Sequence, residues 1–170
     1  SNTVMQGNLQ QNSDSLDLSE LLKTHSGLDH CFLTSSGAMA NENALKIAFQ
    51  HHFPASRILA FDHCFAGRTL FMSQVTDKPQ YRAGLPHTVN VDYIPFYDPI
   101  NPEESTQKAL NALKNHIARY PKDHAAMIFE LVQGEGGFYT GSHEFFSALM
   151  RELKKNGIAV FVDEVQSFGR

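Results

Sequence analysis

The chain has no surplus of positive charge: 14 Lys and Arg stand against 18 Asp and Glu in 170 residues, a net charge of −4. Gripping a phosphate backbone requires clustered cations that displace counterions, so nucleic acid is not an expected partner. No apolar run is long enough for a membrane span, and no charged-then-apolar leader opens the chain, so no membrane partner is expected. Cysteine is scarce. Cys31 and Cys64 make no disulfide framework and suit a reducing, cytoplasmic location. Nine histidines are present but none shows the paired spacing of a zinc site; His51 and His52 are adjacent, about 100° apart on a helix. No metal is expected. Internal repeats are absent, as are G-x-G-x-x-G and G-x-x-x-x-G-K-[ST], which disfavours a dinucleotide or nucleoside triphosphate.

What is there is a 42% hydrophobic composition, enough for a real core in one domain or most of one. Residues 1–14 are polar and aperiodic and read as a flexible lead-in. The first three residues, Ser1-Asn2-Thr3, have no initiator Met and suggest a cloning scar or an internal fragment. A short helix from Asp14 or Ser15 places Leu18, Leu21 and Leu22 on one side. His30–Thr34 reads as a buried strand running into Ser35-Ser36-Gly37-Ala38. A helix from about Met39 to Gln50 follows, with Ala40, Ala44, Ile47 and Ala48 on one face. Arg57–Asp62 is a second strand, and Phe65-Ala66-Gly67-Arg68 lies in the loop after it. Residues 76–87, with Pro79, Gly84 and Pro86, read as a surface excursion, and Thr88–Phe96 as a strand. Asn101-Pro102-Glu103-Glu104 signals a capped helix start, with Leu110, Leu113 and Ile117 as the buried side. Ala125–Glu130 is a buried strand ending on an acid. A helix capped by Ser142 carries Phe145, Leu149 and Leu153 and stops at Asn156-Gly157. The last stretch, Ile158 onward, is again a strand ending on an acid, Asp163. Strands alternating with helices give an α/β fold, a mostly parallel sheet with right-handed crossovers and helices on both faces.

In a parallel sheet every strand ends at the same edge, so the segments 35–38, 65–69, 130–137 and 163–166 converge there, where open sheets bind small molecules. Ser36, Gly37 and Ala38 at a helix start offer free N–H groups for a phosphate, or simply an N-cap with close packing. Phe65 offers an aromatic face, or plugs the loop into the core; Arg68 can pair with a substrate carboxylate or with a nearby acid. Asp163 is the sharpest candidate. A carboxylate against a heteroaromatic nitrogen keeps it protonated, and a protonated pyridine is the electron sink of pyridoxal phosphate chemistry. Gln166 would donate to the phenolic oxygen of the same ring. Alone, an acid ending a strand is as often a Mg²⁺ ligand or a helix cap.

Ser-Gly-Ala-Met-Ala-Asn-Glu-Asn-Ala-Leu-Lys (36–46), Phe-Ala-Gly-Arg-Thr (65–69), Glu-Leu-Val-Gln-Gly-Glu-Gly-Gly (130–137) and Asp-Glu-Val-Gln (163–166) together resemble the class III aminotransferases. That group includes the ornithine, acetylornithine, 4-aminobutyrate and lysine ε-aminotransferases, and residues 41–46 look most like the 4-aminobutyrate branch. The resemblance implies part of the large domain of a fold type I enzyme that uses pyridoxal 5'-phosphate. It implies a homodimer acting on amino-acid and keto-acid substrates. By it, Ser36, Gly37 and Ala38 would hold the cofactor phosphate, Phe65 would stack on the ring, and Asp163, Val165 and Gln166 would line it. Arg68, Glu130 and Glu135 would serve the substrate, Glu135 by pairing with an Arg elsewhere, and Asp163 and Glu130 would take the catalytic roles.

Two departures bear on the substrate. Ala66 stands where the family usually has His, and Ser167-Phe168-Gly169-Arg170 is one residue shorter than the usual run. A third concerns the lysine that forms the Schiff base. It is expected a few dozen residues past Gln166, so residues 15–170 are expected to be the N-terminal part of the cofactor domain and inactive alone; Lys46, Lys154 and Lys155 lie on helices away from the edge. Three alternatives stay open: mutase, epimerase or decarboxylase chemistry on the same scaffold, a non-catalytic binding or assembly module, and a Mg²⁺-dependent phosphotransferase, which lacks a phosphate loop.

Overall fold

The structure, a computed structural model, describes residues 12–169, and the chain divides into two compact units, Ser1–Ser36 and Gly37–Arg170. The lead-in expected over residues 1–14 falls outside the described residues up to residue 11. In the first unit, helix α1 (Ser13–Ser26) starts at once, because the Asn12 side chain caps it by accepting from the Ser15 N–H at 2.7 Å. Gly27 ends it in the left-handed conformation, φ 69°. None of its residues is buried, and Leu18 and Leu21 are exposed. The strand expected at His30–Thr34 is not one. An apolar run becomes a strand when a neighbour takes its backbone hydrogen bonds, and this segment carries no ladder, with Phe32 exposed.

In the second unit, α2 (Gly37–His51), β1 (Arg57–Phe61), α3 (Met72–Val75), α4 (Pro79–Arg82), β2 (Asn90–Ile94), α5 (Pro102–Arg119) and β3 (His124–Glu130) come first. They are followed by β4 (Val132–Gln133), α6 (Gly134–Gly137), β5 (Tyr139–Thr140), α7 (His143–Lys155) and β6 (Ala159–Asp163). Four strands form one parallel sheet in the order β2-β1-β3-β6, and β4 and β5 make a small antiparallel pair. The expected strand Thr88–Phe96 is shortened to its middle, and the excursion over residues 76–87 holds one helical turn, α4, with the single turn α3 just before it.

Alternation along the strands builds a core on each face. Ile58, Ala60, Ala126 and Ile128 point to the side covered by Leu45 and Ala48 of α2 and Met72 and Val75 of α3. Leu59, Phe61, Met127 and Phe129 point to the other, against Ala109 and Leu113 of α5 and Phe145, Leu149 and Leu153 of α7. On that second side Phe61 meets Phe96, Phe129 and Phe145 with ring centroids 4.9, 5.6 and 5.5 Å away. Removing one such ring from a core costs about 3–5 kcal/mol. Ser142 caps α7 as expected, accepting from the Phe145 N–H at 3.1 Å. Asn101 does not cap α5 with its side chain; that amide instead donates to Asp98 at 3.2 Å.

The strand order fixes where a ligand can sit. From β1 the chain passes to β2 on one flank, then returns over β1 to place β3 on the other. The crevice beyond the carboxyl ends of β1 and β3 is the switch point at which open α/β sheets bind ligands.

Candidate functional site

Two acids end neighbouring strands at this edge. Glu130 and Asp163 stand side by side in the β3–β6 register. Both follow the alternation of Ala126, Ile128 and Ala159, Phe161, so both point to the α2 face. Phe65, Ala66 and Cys64, from the loop after β1, line one small cavity with Glu130 and Asp163. The convergence expected from strand polarity is therefore real for these residues.

Glu130 is buried, and each carboxylate oxygen accepts a backbone N–H, from Phe65 at 2.9 Å and from Gly134 at 3.2 Å. It thus ties the loop after β1 to the loop after β3. Burial pushes its carboxyl above the ordinary value, against those two hydrogen bonds and with help from the Asp163 charge. Asp163 is half-buried. Its Oδ1 accepts from the Val165 N–H at 3.1 Å, and its Oδ2 from the Asn41 side-chain amide at 2.9 Å. Gln166 packs on Gly134 so closely that a Cβ there would meet its Nε2 at 3.1 Å. Glycine at 134 therefore sets how near the two loops approach. Val165 is exposed, and its backbone N–H is the group that meets Asp163.

The start of α2 is held beside the Phe65–Thr69 loop. Gly67 has φ 128°, and a Cβ on it would meet the Ala38 Cβ at 2.7 Å, so only glycine admits this approach. A Cβ on Gly37 would meet nothing within 4 Å. Ser36 closes the first unit, its carbonyl accepting from the Thr34 hydroxyl at 3.1 Å.

Arg68 is exposed, near enough to Glu135 to favour its charge. Glu135 is ion-paired within the chain, to Lys78 at 2.7 Å, and that bond holds its carboxyl below the ordinary value. Tyr81 links this pair inward, with Lys78 5.8 Å from its ring and the Phe65 ring edge-on at 6.2 Å. Lys78 is a lysine that sequence reasoning did not bring to this edge. The Cys64 thiol is pushed up to about 12 by burial and donates to the Val75 carbonyl, so it is no nucleophile.

Asn41 and Gln133 were also missed. Of the α2 face expected from Ala40, Ala44, Ile47 and Ala48, Ala48 is buried as expected, but Asn41 and Leu45 take the places of Ala40 and Ala44, and Ile47 is exposed. The signal was the same helical spacing started one residue later, hidden by the polarity of Asn41. Gln133, buried in β4, donates to the Asp62 carbonyl at 2.9 Å and so joins the β1 and β3 loops. A larger groove of about 480 Å³ lies elsewhere, along Val132, Thr140, Phe146 and Met150, and offers no buried acid or cation. Among the described residues no cluster of His, Cys, Asp and Glu has the arrangement of a metal site. No described helix is long and apolar enough to cross a membrane.

Comparison with known proteins adds the following. The sequence model of the family described as aminotransferase class-III matches residues 1–170. Acetylornithine aminotransferase of Parasynechococcus marenigrum is 37% identical over 155 residues, covering 88% of this chain and 35% of that protein. A 2-aminoadipate transaminase of Pseudomonas putida is 41% identical over 143 residues, covering 81% of this chain and 34% of that one. Lysine aminotransferase from M. tuberculosis superposes with a TM-score of 0.78 at 27% identity, over 87% of this chain and 39% of that one. The chain thus spans well under half the length of these relatives.

Proposed function

Since the chain belongs to the class III aminotransferases, we propose that residues 15–170 carry the first part of the cofactor-binding large domain of a pyridoxal 5'-phosphate-dependent transaminase. The donor set fits that group. Its phosphate suits the open N-terminus of α2 at Gly37 and Ala38, with Ser36 just before it, where N–H groups and the helix dipole favour an anion. Its ring suits the space between Phe65 and the strand-end acids. The cofactor, when bound, supplies an electron sink that stabilises negative charge at the carbon bearing the amino group.

The protein's part is to orient and to tune. Asp163 is the observation that carries the proposal: a carboxylate at the strand end, held by two neutral donors and by no cation among the described residues. Such a group can spend its charge on a protonated ring nitrogen. Gln166 would hold the phenolic oxygen, and Val165 would line the ring. Glu130, with its raised pKa, lies beside the reacting end and holds a proton more readily than an exposed acid. Arg68 meets a substrate carboxylate, and Glu135 holds Lys78 where substrate enters. The amino donor is of the ω-amino or diamino acid type, a choice to which the acetylornithine and lysine in two of the relatives' names lend support, and the acceptor is a 2-keto acid such as 2-oxoglutarate. A homodimer belongs to the same proposal, as does a cytoplasmic location, to which the two free cysteines, Cys31 and Cys64, lend support.

The 170 residues alone are proposed to hold the cofactor reversibly and to be inactive. In support, Lys78 at the edge is engaged by both the carboxylate and the carbonyl of Glu135, at 2.7 and 3.2 Å. The test is Asp163→Ala in the full-length protein, which should lose the visible cofactor band and transaminase activity together. Retention of both removes Asp163 from the role.

A further inference from the structure

The Asn41 side chain is almost fully buried, and its amide nitrogen donates to two acceptors at once, the Ala66 carbonyl at 2.9 Å and Asp163 Oδ2 at 2.9 Å. Both partners are acceptors, so the amide orientation follows from chemistry alone: only the nitrogen can face them. The residue lies four positions after Gly37, one turn into α2. One side chain therefore joins the helix whose first turn is assigned to the phosphate, the loop that carries Phe65, and the acid assigned to the ring nitrogen.

We infer that Asn41 is a positioning residue that holds the Asp163 carboxylate aimed at the cofactor ring nitrogen, resting on the cofactor assignment above. A carboxylate is fixed in direction by the donors it accepts from, and Asp163 accepts from two, the Asn41 amide and the Val165 N–H. The two differ in kind. The Val165 bond is local, made within the turn that follows β6, and fixes the carboxylate relative to its own strand. The Asn41 bond comes from another element and fixes it relative to the phosphate end of the site. Asn41 is neutral, so it orients the carboxylate without cancelling its charge, which a lysine or arginine in its place would do. Ala66 strengthens the assignment. A small residue there contributes only its carbonyl to this network, so the amide of Asn41 is the side-chain donor that reaches Asp163 from the α2 side.

The test compares two probes on the full-length protein: pyridoxal 5'-phosphate and its 1-deaza analogue, in which carbon replaces the ring nitrogen. Dissociation constants are measured for wild type, Asn41→Leu and Asp163→Ala. Wild type should prefer pyridoxal phosphate over the analogue. Asn41→Leu should reduce that preference roughly tenfold or more, the size of one charge-assisted hydrogen bond, while binding of the analogue changes little. A purely structural Asn41 would weaken both probes equally and leave the preference intact, which overturns the inference. If Asn41→Leu does not fold, Asn41→Ala, which admits water beside Asp163, is read in the same way. Absence of any preference in wild type, or its survival in Asp163→Ala, would instead count against the cofactor assignment itself, so the two failures are distinct.

Discussion

At the amino end of the sheet, Arg57 grips Asp92 through two bonds of 2.7 Å, whereas at the carboxyl end Glu130 and Asp163 are held by backbone N–H groups and an asparagine. The amino-end cluster lies on the α5 face. It adds His124 to Asp92 at 2.8 Å and His116 at 3.5 Å, and Arg57 stacks on Tyr120 at 3.8 Å. Its charges neutralise each other within the protein. Glu130 and Asp163 meet no cation within the described residues. Paired charge is what a fold uses to join strands; acids held by neutral donors are what a binding site offers a cationic ligand.

The largest effect should come from breaking the paired end. Asp92→Ala leaves the partly buried Arg57 without its partner, and the loss should approach that of breaking a buried pair, about 3–5 kcal/mol. The urea or thermal midpoint should fall accordingly, while the folded fraction keeps its affinity for pyridoxal phosphate. A loss of cofactor affinity without a loss of stability would erase the distinction between the two ends.

A smaller effect lies in pH. Burial lowers the His124 pKa below 6.5 despite its bond to Asp92. Burial works the other way on Asp92, but hydrogen bonds from Arg57 and His124 outweigh it and hold the carboxyl below 3.8. Both groups bind protons more weakly folded than unfolded, so their stability is present at higher pH and lost as pH falls, His124 first below about 6.5 and Asp92 later. Glu130, raised by burial, has the opposite sign: its contribution is present at low pH and lost as pH rises through its raised value. Unfolding midpoints against pH should therefore decline below 6.5 in wild type, and His124→Gln should flatten the upper part of that decline. An unchanged slope would mean that His124 does not titrate differently on folding.

The two ends were unequally legible in the sequence. Glu130, Asp163 and Phe65 could be found because strand polarity alone puts strand-end residues at one edge, and apolar runs mark the strands. The Arg57–Asp92–His124 cluster could not, since its members come from three strands whose order the sequence does not state. Asn41 was hidden because a polar residue on a helix reads as its outer face, and the alanines beside it offered a plausible inner one. His30–Thr34 misled for the converse reason: apolar character was visible, the missing ladder partner was not. Lys78 escaped notice because it lies in an excursion whose path back to the edge depends on α3 and α4, two single turns with no periodic signal.

The claim that most needs testing is that Asp163 faces, and keeps protonated, a ring nitrogen. Nitrogen-15 resonance of ring-labelled pyridoxal phosphate bound to the full-length protein reports that directly. A protonated nitrogen at neutral pH in wild type, lost in Asp163→Ala, is the expected result; a neutral nitrogen in wild type would contradict the account.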